Sequence, residues 1–232
     1  MVVRHDGAQN VWGLLESFLP QWAERHALTE KHAESAMAER AILALGVATP
    51  RDIRLHYIRG CYLDLPGALD RLCERSVIHR VVIDGSARRP EEQYVHDRDV
   101  SLLESLASGL KERQVSLLPP FDNLVYNQTR LQRLFGFDYI REQFLPKEKR
   151  RFGTYVLPIL WGDQLIGRLD PRLDRTKGQL VVNSVHAEPS APTDRAVGHA
   201  IADKIGELAE FLGAKDVLYT SRVPAMWKGT LR

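Results

Sequence analysis

Residues 117–153 read LLPPFDNLVYNQTRLQRLFGFDYIREQFLPKEKRRFG and run straight into the apolar stretch TYVLPILW at 154–161. Pro119 and Pro120 stop any helix before them and extend the chain. Asn127 or Thr129 can cap a short helix that carries Leu131, Leu134 and Phe135 on one side, and Gly136 ends it in the left-handed position. On the other side stand Arg130 and Arg133, three apart and so neighbours on one face. Lys147, Lys149, Arg150 and Arg151 crowd the loop that follows. Such a concentration of positive charge is either a solvated face of a globular domain or a contact for nucleic-acid phosphate, and charge alone does not separate the two.

Downstream the pattern is a meander. Residues 154–160 and 164–169 flank Trp161-Gly162-Asp163, and Lys177-Gly178 opens a further strand over 179–185. Pro158 requires an edge or a bulge, because it has no N–H for a ladder. Residues 194–212 form the longest helix, with Val197, Ile201, Ile205, Leu208 and Leu212 as an apolar stripe to cover the sheet. Gly213 ends it, residues 217–219 supply a last strand, and the basic tail 224–232 reads as loose.

Upstream, residues 1–15 read as a hairpin turning over Asp6 and Gly7. A lone hairpin is marginal in water, so it must pack on later residues or belong to a domain begun earlier. After a connector, helical periodicity starts at Glu34 with Ala38, Ala41, Ile42 and Leu45, and Gly46 stops it. Thr49 and Pro50 start a second helix with Ile53 and Tyr57 inward. A third follows Asp64, with Leu65, Leu69 and Leu72 on one face. Alternation over 77–83, a polar tip over 84–92 and a return over 93–95 make a hairpin, and residues 100–110 form a linking helix through Leu103, Leu106 and Leu110. Three short helices and a hairpin are the winged-helix order. Such a unit lays its third helix in the major groove and touches backbone with its wing. That helix offers Arg71 and Arg75, and the wing offers Arg80, Arg88 and Arg89. Asp70 and Glu74 would repel phosphate, so a surface salt-bridge reading competes on the helix. The tip pair Arg88 and Arg89 has no core partner to serve and is the better candidate for phosphate.

Composition sets bounds. The chain has 232 residues, enough for one large domain or two modest ones, with 44% hydrophobic and 27% charged residues, as in ordinary globular proteins. A net charge of +2 and a pI near 8.6 mean that any nucleic-acid affinity must come from a patch. No run is long and apolar enough for a membrane span, and the first residues lack the apolar core of a secretory signal, so a cytoplasmic location is expected. Cys61 and Cys73 are too few for a disulfide scaffold or a thiolate zinc site and read as buried free thiols. The eight histidines are scattered, so neither a metal site nor a cofactor is expected. His186 and Glu188 alternate at a strand end and read as solvent-facing or hydrogen-bonded structure. Asp122, Asp170 and Asp174 sit in turn-like settings suited to capping. Gly162 and Gly167 make no phosphate loop.

The segments LLPPFDNLVYNQTRLQRLFGFDY, KRRFGTYVLPILWGDQLIGRLDPRLDRTKGQL and VHAEP, in that order, resemble the winged-helix DNA glycosylases of bacteria that unhook interstrand crosslinks, the YcaQ-like (AlkZ/AlkX) family. The resemblance runs along nearly the whole chain and is densest over 117–189. It implies hydrolysis of the bond between sugar and alkylated base, with a Gln-x-Gln or Gln-x-Asp motif positioning water and stabilising charge on the sugar. None of the glutamines here, at 9, 21, 93, 114, 128, 132, 143, 164 and 179, has Gln, Asp or Glu two residues later. In the family a hairpin like that at 1–15 closes the wing of an earlier unit. The expectation is therefore an N-terminally truncated, DNA-binding C-terminal portion with no catalytic residue of its own, acting with alkylated or crosslinked double-stranded DNA. The alternatives are a non-enzymatic winged-helix regulator and a remnant that binds nothing specific. The expected fold class is α+β: a leftover hairpin and connector at 1–33, a winged-helix (helix-turn-helix) domain with its linking helix at 34–113, and a β-barrel-like domain with a covering helix at 114–232.

Overall fold

The computed structural model describes residues 2–7, 9–22, 28–57, 62–82, 92–106, 109, 113–220 and 222–231. Strands β1 (Val2–Asp6) and β2 (Gln9–Trp12) pair antiparallel around Gly7, whose φ of 59° suits a tight reversal. Helix α1 (Leu15–Phe18) folds back so that the Phe18 ring lies over Gly13. Neither strand of the hairpin buries a residue, and Trp12, Leu14 and Trp22 are largely exposed.

Helix α2 (Glu30–Leu45) starts at Glu30 rather than Glu34, because the Thr29 hydroxyl accepts from the His32 N–H at 3.3 Å and caps an extra turn. It ends at Gly46 with φ 74°. Strand β3 (Val47–Ala48) leads into α3 (Pro50–His56), where Thr49 and Asp52 form a reciprocal capping box. Helix α4 (Leu65–Glu74) is capped by Asp64, and the buried Glu34 carboxylate accepts the N–H groups of Leu63 and Asp64, tying the start of α4 to α2. Strands β4 (Ile78–Val81) and β5 (Gln93–His96) complete an antiparallel sheet of order β3-β5-β4. Its core holds Ala38, Ala41, Ile42, Ile53, Leu65, Leu69, Leu72, Ile78 and Tyr94. Small alanines on α2 let α4 approach closely, which is why these two helices pack. The tip between β4 and β5, with Arg88 and Arg89, lies outside the described residues, as does Cys61; Cys73 is a half-buried free thiol. Helix α5 (Asp97–Leu106) buries no residue, and Leu103 and Leu106 of the expected seam are exposed.

Strand β6 (Val115–Leu117) precedes two helices where one was expected. The Asp122 carboxylate accepts from Leu124 N–H at 2.8 Å and starts α6 (Asn123–Tyr126). The Asn127 side chain accepts from Arg130 N–H at 3.1 Å and starts α7 (Gln128–Phe135), which Gly136 ends in the left-handed region. Leu131 is buried but Leu134 faces out. After two short 3-10 turns, β7 (Leu157–Trp161), β8 (Gln164–Asp174) and β9 (Gln179–Ala187) form the meander, with Gly162 and Gly178 at the reversals. Helix α8 (Arg195–Phe211) crosses the sheet and returns the chain as β10 (Asp216–Tyr219), parallel to β9. The sheet, of order β10-β9-β8-β7-β6, is open and curled as half a barrel. Val197, Ile201 and Ile205 of α8 fill its core, whereas Leu212 lies past the helix end.

One expectation is met here and one fails. Pro158 lies in an internal strand, but beside the register shift at Ile159 and Leu160 and opposite the end of β6, as a residue without an N–H requires. Its carbonyl accepts from Leu118 N–H at 3.0 Å, and its missing N–H would point the same way, toward a neighbour that has already ended. The tail is not loose. Trp227 is fully buried and donates from Nε1 to the Pro192 carbonyl at 3.2 Å, with Leu231 buried beside it in the same core. Among the described residues no helix is long and apolar enough to cross a membrane.

Candidate nucleic-acid interface

The basic loop at 147–151 is held from behind by two buried carboxylates. Glu142 Oε2 accepts from the N–H groups of Phe152 (2.8 Å) and Gly153 (3.0 Å). Asp170 Oδ1 accepts from Thr154 N–H (3.0 Å) and Tyr155 N–H (3.2 Å), while its Oδ2 accepts from Asn183 Nδ2 (3.2 Å). Ser184 Oγ donates to the Phe152 carbonyl. Gly153 permits this closeness, since a Cβ there would stand 2.1 Å from Asp170 Cγ. Four successive amides are thus tied down, and the loop before them is fixed in place. Lys147, Lys149 and Arg151 project from it into solvent. Arg150 is half-buried and donates to the Leu145 carbonyl (3.0 Å) and Thr154 Oγ1 (3.1 Å).

Beside the loop a cleft of about 670 Å³ brings together Lys149, Arg151 and Phe152 with His186 and Glu188 of the VHAEP segment. Arg168, from β8, packs its guanidinium against the rings of Phe137 (4.1 Å) and Phe152 (4.3 Å) and donates from Nε to Glu188 at 2.8 Å. The His186 ring meets Phe152 edge-on. Burial, then the nearby charges of Arg168, Arg151 and Arg222, hold the His186 pKa below its ordinary value. His186 and Glu188 are therefore packed and hydrogen-bonded side chains that also line a cleft. Asp122 and Asp174 cap turns, the latter accepting from Lys177 N–H and the Thr176 hydroxyl.

The other arginines divide. Arg130 does not face solvent: its side chain is 5% exposed, and its Nη2 donates to the carbonyls of Leu45 (2.8 Å) and Val47 (3.2 Å). Burial lowers its pKa, the Asp52 carboxylate at 3.9 Å opposing this. Arg133 donates to the same Asp52 at 2.6 Å, and Asn127 Nδ2 donates to it at 3.2 Å. The α7 arginines thus clamp α7 to the helical unit, and Arg130 is too buried to meet phosphate. The side of α7 assigned to solvent is an internal seam. Arg71 donates to Ser35 Oγ and pairs at 3.7 Å with Asp64, bridging α2 and α4. Arg80 is bracketed by Asp70 and Glu92, and a hydrogen bond with Tyr94 pushes its pKa further up. Arg75 stays exposed at the end of α4.

Sequence reasoning missed Glu142 and read Asp170, which lies within β8, as a turn cap, because each acts on amides distant in the chain. It also missed Arg222, which reaches the loop because its carbonyl accepts from Val185 N–H at 2.8 Å beside β9. Among the described residues no group of three or more His, Cys, Asp or Glu is placed to hold a metal ion. The arrangement offers cations on a fixed backbone, suited to binding an anion. No solved structure matches the chain. The family model described as DNA glycosylase AlkZ-like matches residues 1–211, so the chain belongs to the AlkZ-like DNA glycosylase family.

Proposed function

We propose that this chain is the DNA-holding part of a repair glycosylase that acts on alkylated or interstrand-crosslinked DNA, and that alone it does not excise a base. The observation that carries the reading is the pinned loop. Lys147, Lys149 and Arg151 are exposed on a backbone whose following amides are fixed by Glu142 and Asp170, in a chain whose family works on DNA. Holding cations in place before the ligand arrives reduces the entropy lost on binding. The element order α2, β3, α3, α4, β4, β5 supports a winged helix within 34–113, followed by a sheet domain over 114–232. In that reading Arg75 is the remaining candidate on the third helix, since Arg71 and Arg80 already have carboxylate partners. The Gln-x-Gln and Gln-x-Asp patterns are absent from the chain, which supports the lack of excision.

Duplex binding read by fluorescence anisotropy across a salt series tests this. Affinity should fall steeply with salt and depend little on sequence, and Lys149→Ala with Arg151→Ala should flatten the log–log slope by up to about two, near one per lost phosphate contact. Incubation with DNA carrying N7-alkylated guanine should give no abasic product above background. Robust excision would place a catalytic group in this chain and defeat the second half of the proposal. Much tighter binding to one sequence would favour a regulator instead.

A further inference from the structure

Behind the basic loop lies a second, smaller cavity of about 230 Å³, lined by Lys147, Arg150, Arg151, Thr154, Asp170, Asn183, Ser184 and Arg222 among others. Its charge balance differs from that of the larger cleft. The cleft sets Lys149, Arg151, Arg168 and His186 against Asp138, Glu142 and Glu188. The smaller cavity has four cations and one carboxylate, four minus one leaving three positive charges. That carboxylate, Asp170, is already engaged on both oxygens by Thr154, Tyr155 and Asn183. Arg150 spends Nε on Leu145 and Nη1 on Thr154, which orients its remaining N–H groups. Arg151 and Arg222 line the same hollow, and both are near enough to His186 to lower its pKa. Four like charges held around one hollow repel, and a bound anion relieves that repulsion. The size limits the choice, since small-molecule pockets usually begin at roughly 300 Å³.

We propose that this hollow, lined by Arg222 and the Lys147, Arg150 and Arg151 loop, seats a single phosphate group of a DNA strand. The inference rests on the DNA-holding reading above and deepens it: one contact is a built seat, and its key residue, Arg222, lies beyond the residues matched to the family. The same phosphate chemistry is offered by free phosphate, so the test has two arms. The full chain and its Arg222→Ala and Arg222→Lys variants are compared for duplex binding over a salt series. In parallel, inorganic phosphate is titrated into each while the amide signals of Gly153, Thr154 and Ser184 are followed by NMR. Arg222 is exposed, so the variants should fold as the parent does.

The expected result is a duplex salt slope lower by about one in Arg222→Ala, with affinity down several-fold at moderate salt and largely recovered by Arg222→Lys. The parent should also show phosphate-induced shifts that Arg222→Ala loses. Duplex binding with unchanged affinity and slope in Arg222→Ala would overturn the seat while leaving the DNA-holding reading intact. Phosphate shifts in a parent that binds no duplex would overturn the DNA source and that reading together, assigning the hollow to free phosphate. Neither duplex binding nor phosphate shifts would overturn both.

Discussion

Arg130 and Arg133 lie on one helix, and Lys147, Lys149 and Arg151 lie on a loop a short way along the same segment. The first pair turns inward, where the Leu45 and Val47 carbonyls and the Asp52 carboxylate engage it. The second group turns outward beside two carboxylates, Glu142 and Asp170, that backbone amides already engage. Both are cationic. What separates them is where the nearest acceptors sit and whether those acceptors are still free. A guanidinium that meets buried carbonyls becomes a clamp, whereas one that meets saturated carboxylates is left to find an anion from outside.

The sharpest way to break this comparison is Asp52→Ala. Asp52 is 4% exposed, caps α3 through Thr49, accepts from Asn127 and pairs with both α7 arginines. Its loss leaves Arg130 buried without a counter-charge, so unfolding free energy should drop by about 3–5 kcal/mol in urea titrations. If Asp52→Ala instead left stability intact and changed the duplex salt slope, the α7 arginines would belong to the interface after all.

Next in size is Gly153→Ala, which attacks the outward cluster through its support. A Cβ at 2.1 Å from Asp170 Cγ forces that carboxylate off the Thr154 and Tyr155 amides. A cost of roughly 1–3 kcal/mol is expected from the overpacking. Duplex affinity should fall as well, although no cation has been removed. A variant with reduced stability and unchanged affinity would show that the loop need not be fixed to act.

Smaller again is Thr49→Ala, which removes the hydroxyl half of the capping box and leaves the Asp52 ion pairs in place. Thermal or urea unfolding should report a loss of about 1 kcal/mol. A loss as large as that of Asp52→Ala would mean that the cap, and not the clamp on α7, dominates the role of Asp52.

These local features were legible from the chain itself. Thr49-Pro50, Asp64, Asn127 and Gly136 announce their helix ends because capping involves residues only three or four apart. The strands around Trp161-Gly162-Asp163 and Lys177-Gly178 were legible for the same reason. What escaped were partnerships set by tertiary packing. Arg130 finds the carbonyl of Leu45, Glu142 finds the amides of Phe152 and Gly153, and Trp227 finds the core beneath α8, each across a separation that periodicity does not encode. The charge of 147–151 was readable. Its rigid support and its meeting with Arg222 were not.

The last expected effect is the smallest and tests the field itself. His186 is half-buried against Phe152, and its pKa is lowered first by burial, then by Arg168, Arg151 and Arg222, with Asp170 opposing. Because the folded value lies below the unfolded one, the unfolded chain takes up a proton first as pH falls. The contribution to stability is whole above the ordinary value of 6.5 and declines as pH drops through it. Arg151→Ala removes one of the repelling charges and should raise the His186 pKa in an NMR titration of its ring protons. Arg133→Ala, whose charge is absorbed by Asp52, should leave it where it is. Duplex DNA should act in the same direction as Arg151→Ala, since a phosphate brought to the loop offsets the same positive field. Equal responses to Arg151→Ala and Arg133→Ala would mean that the two clusters share one field, and the distinction between clamp and interface would fail on electrostatic grounds.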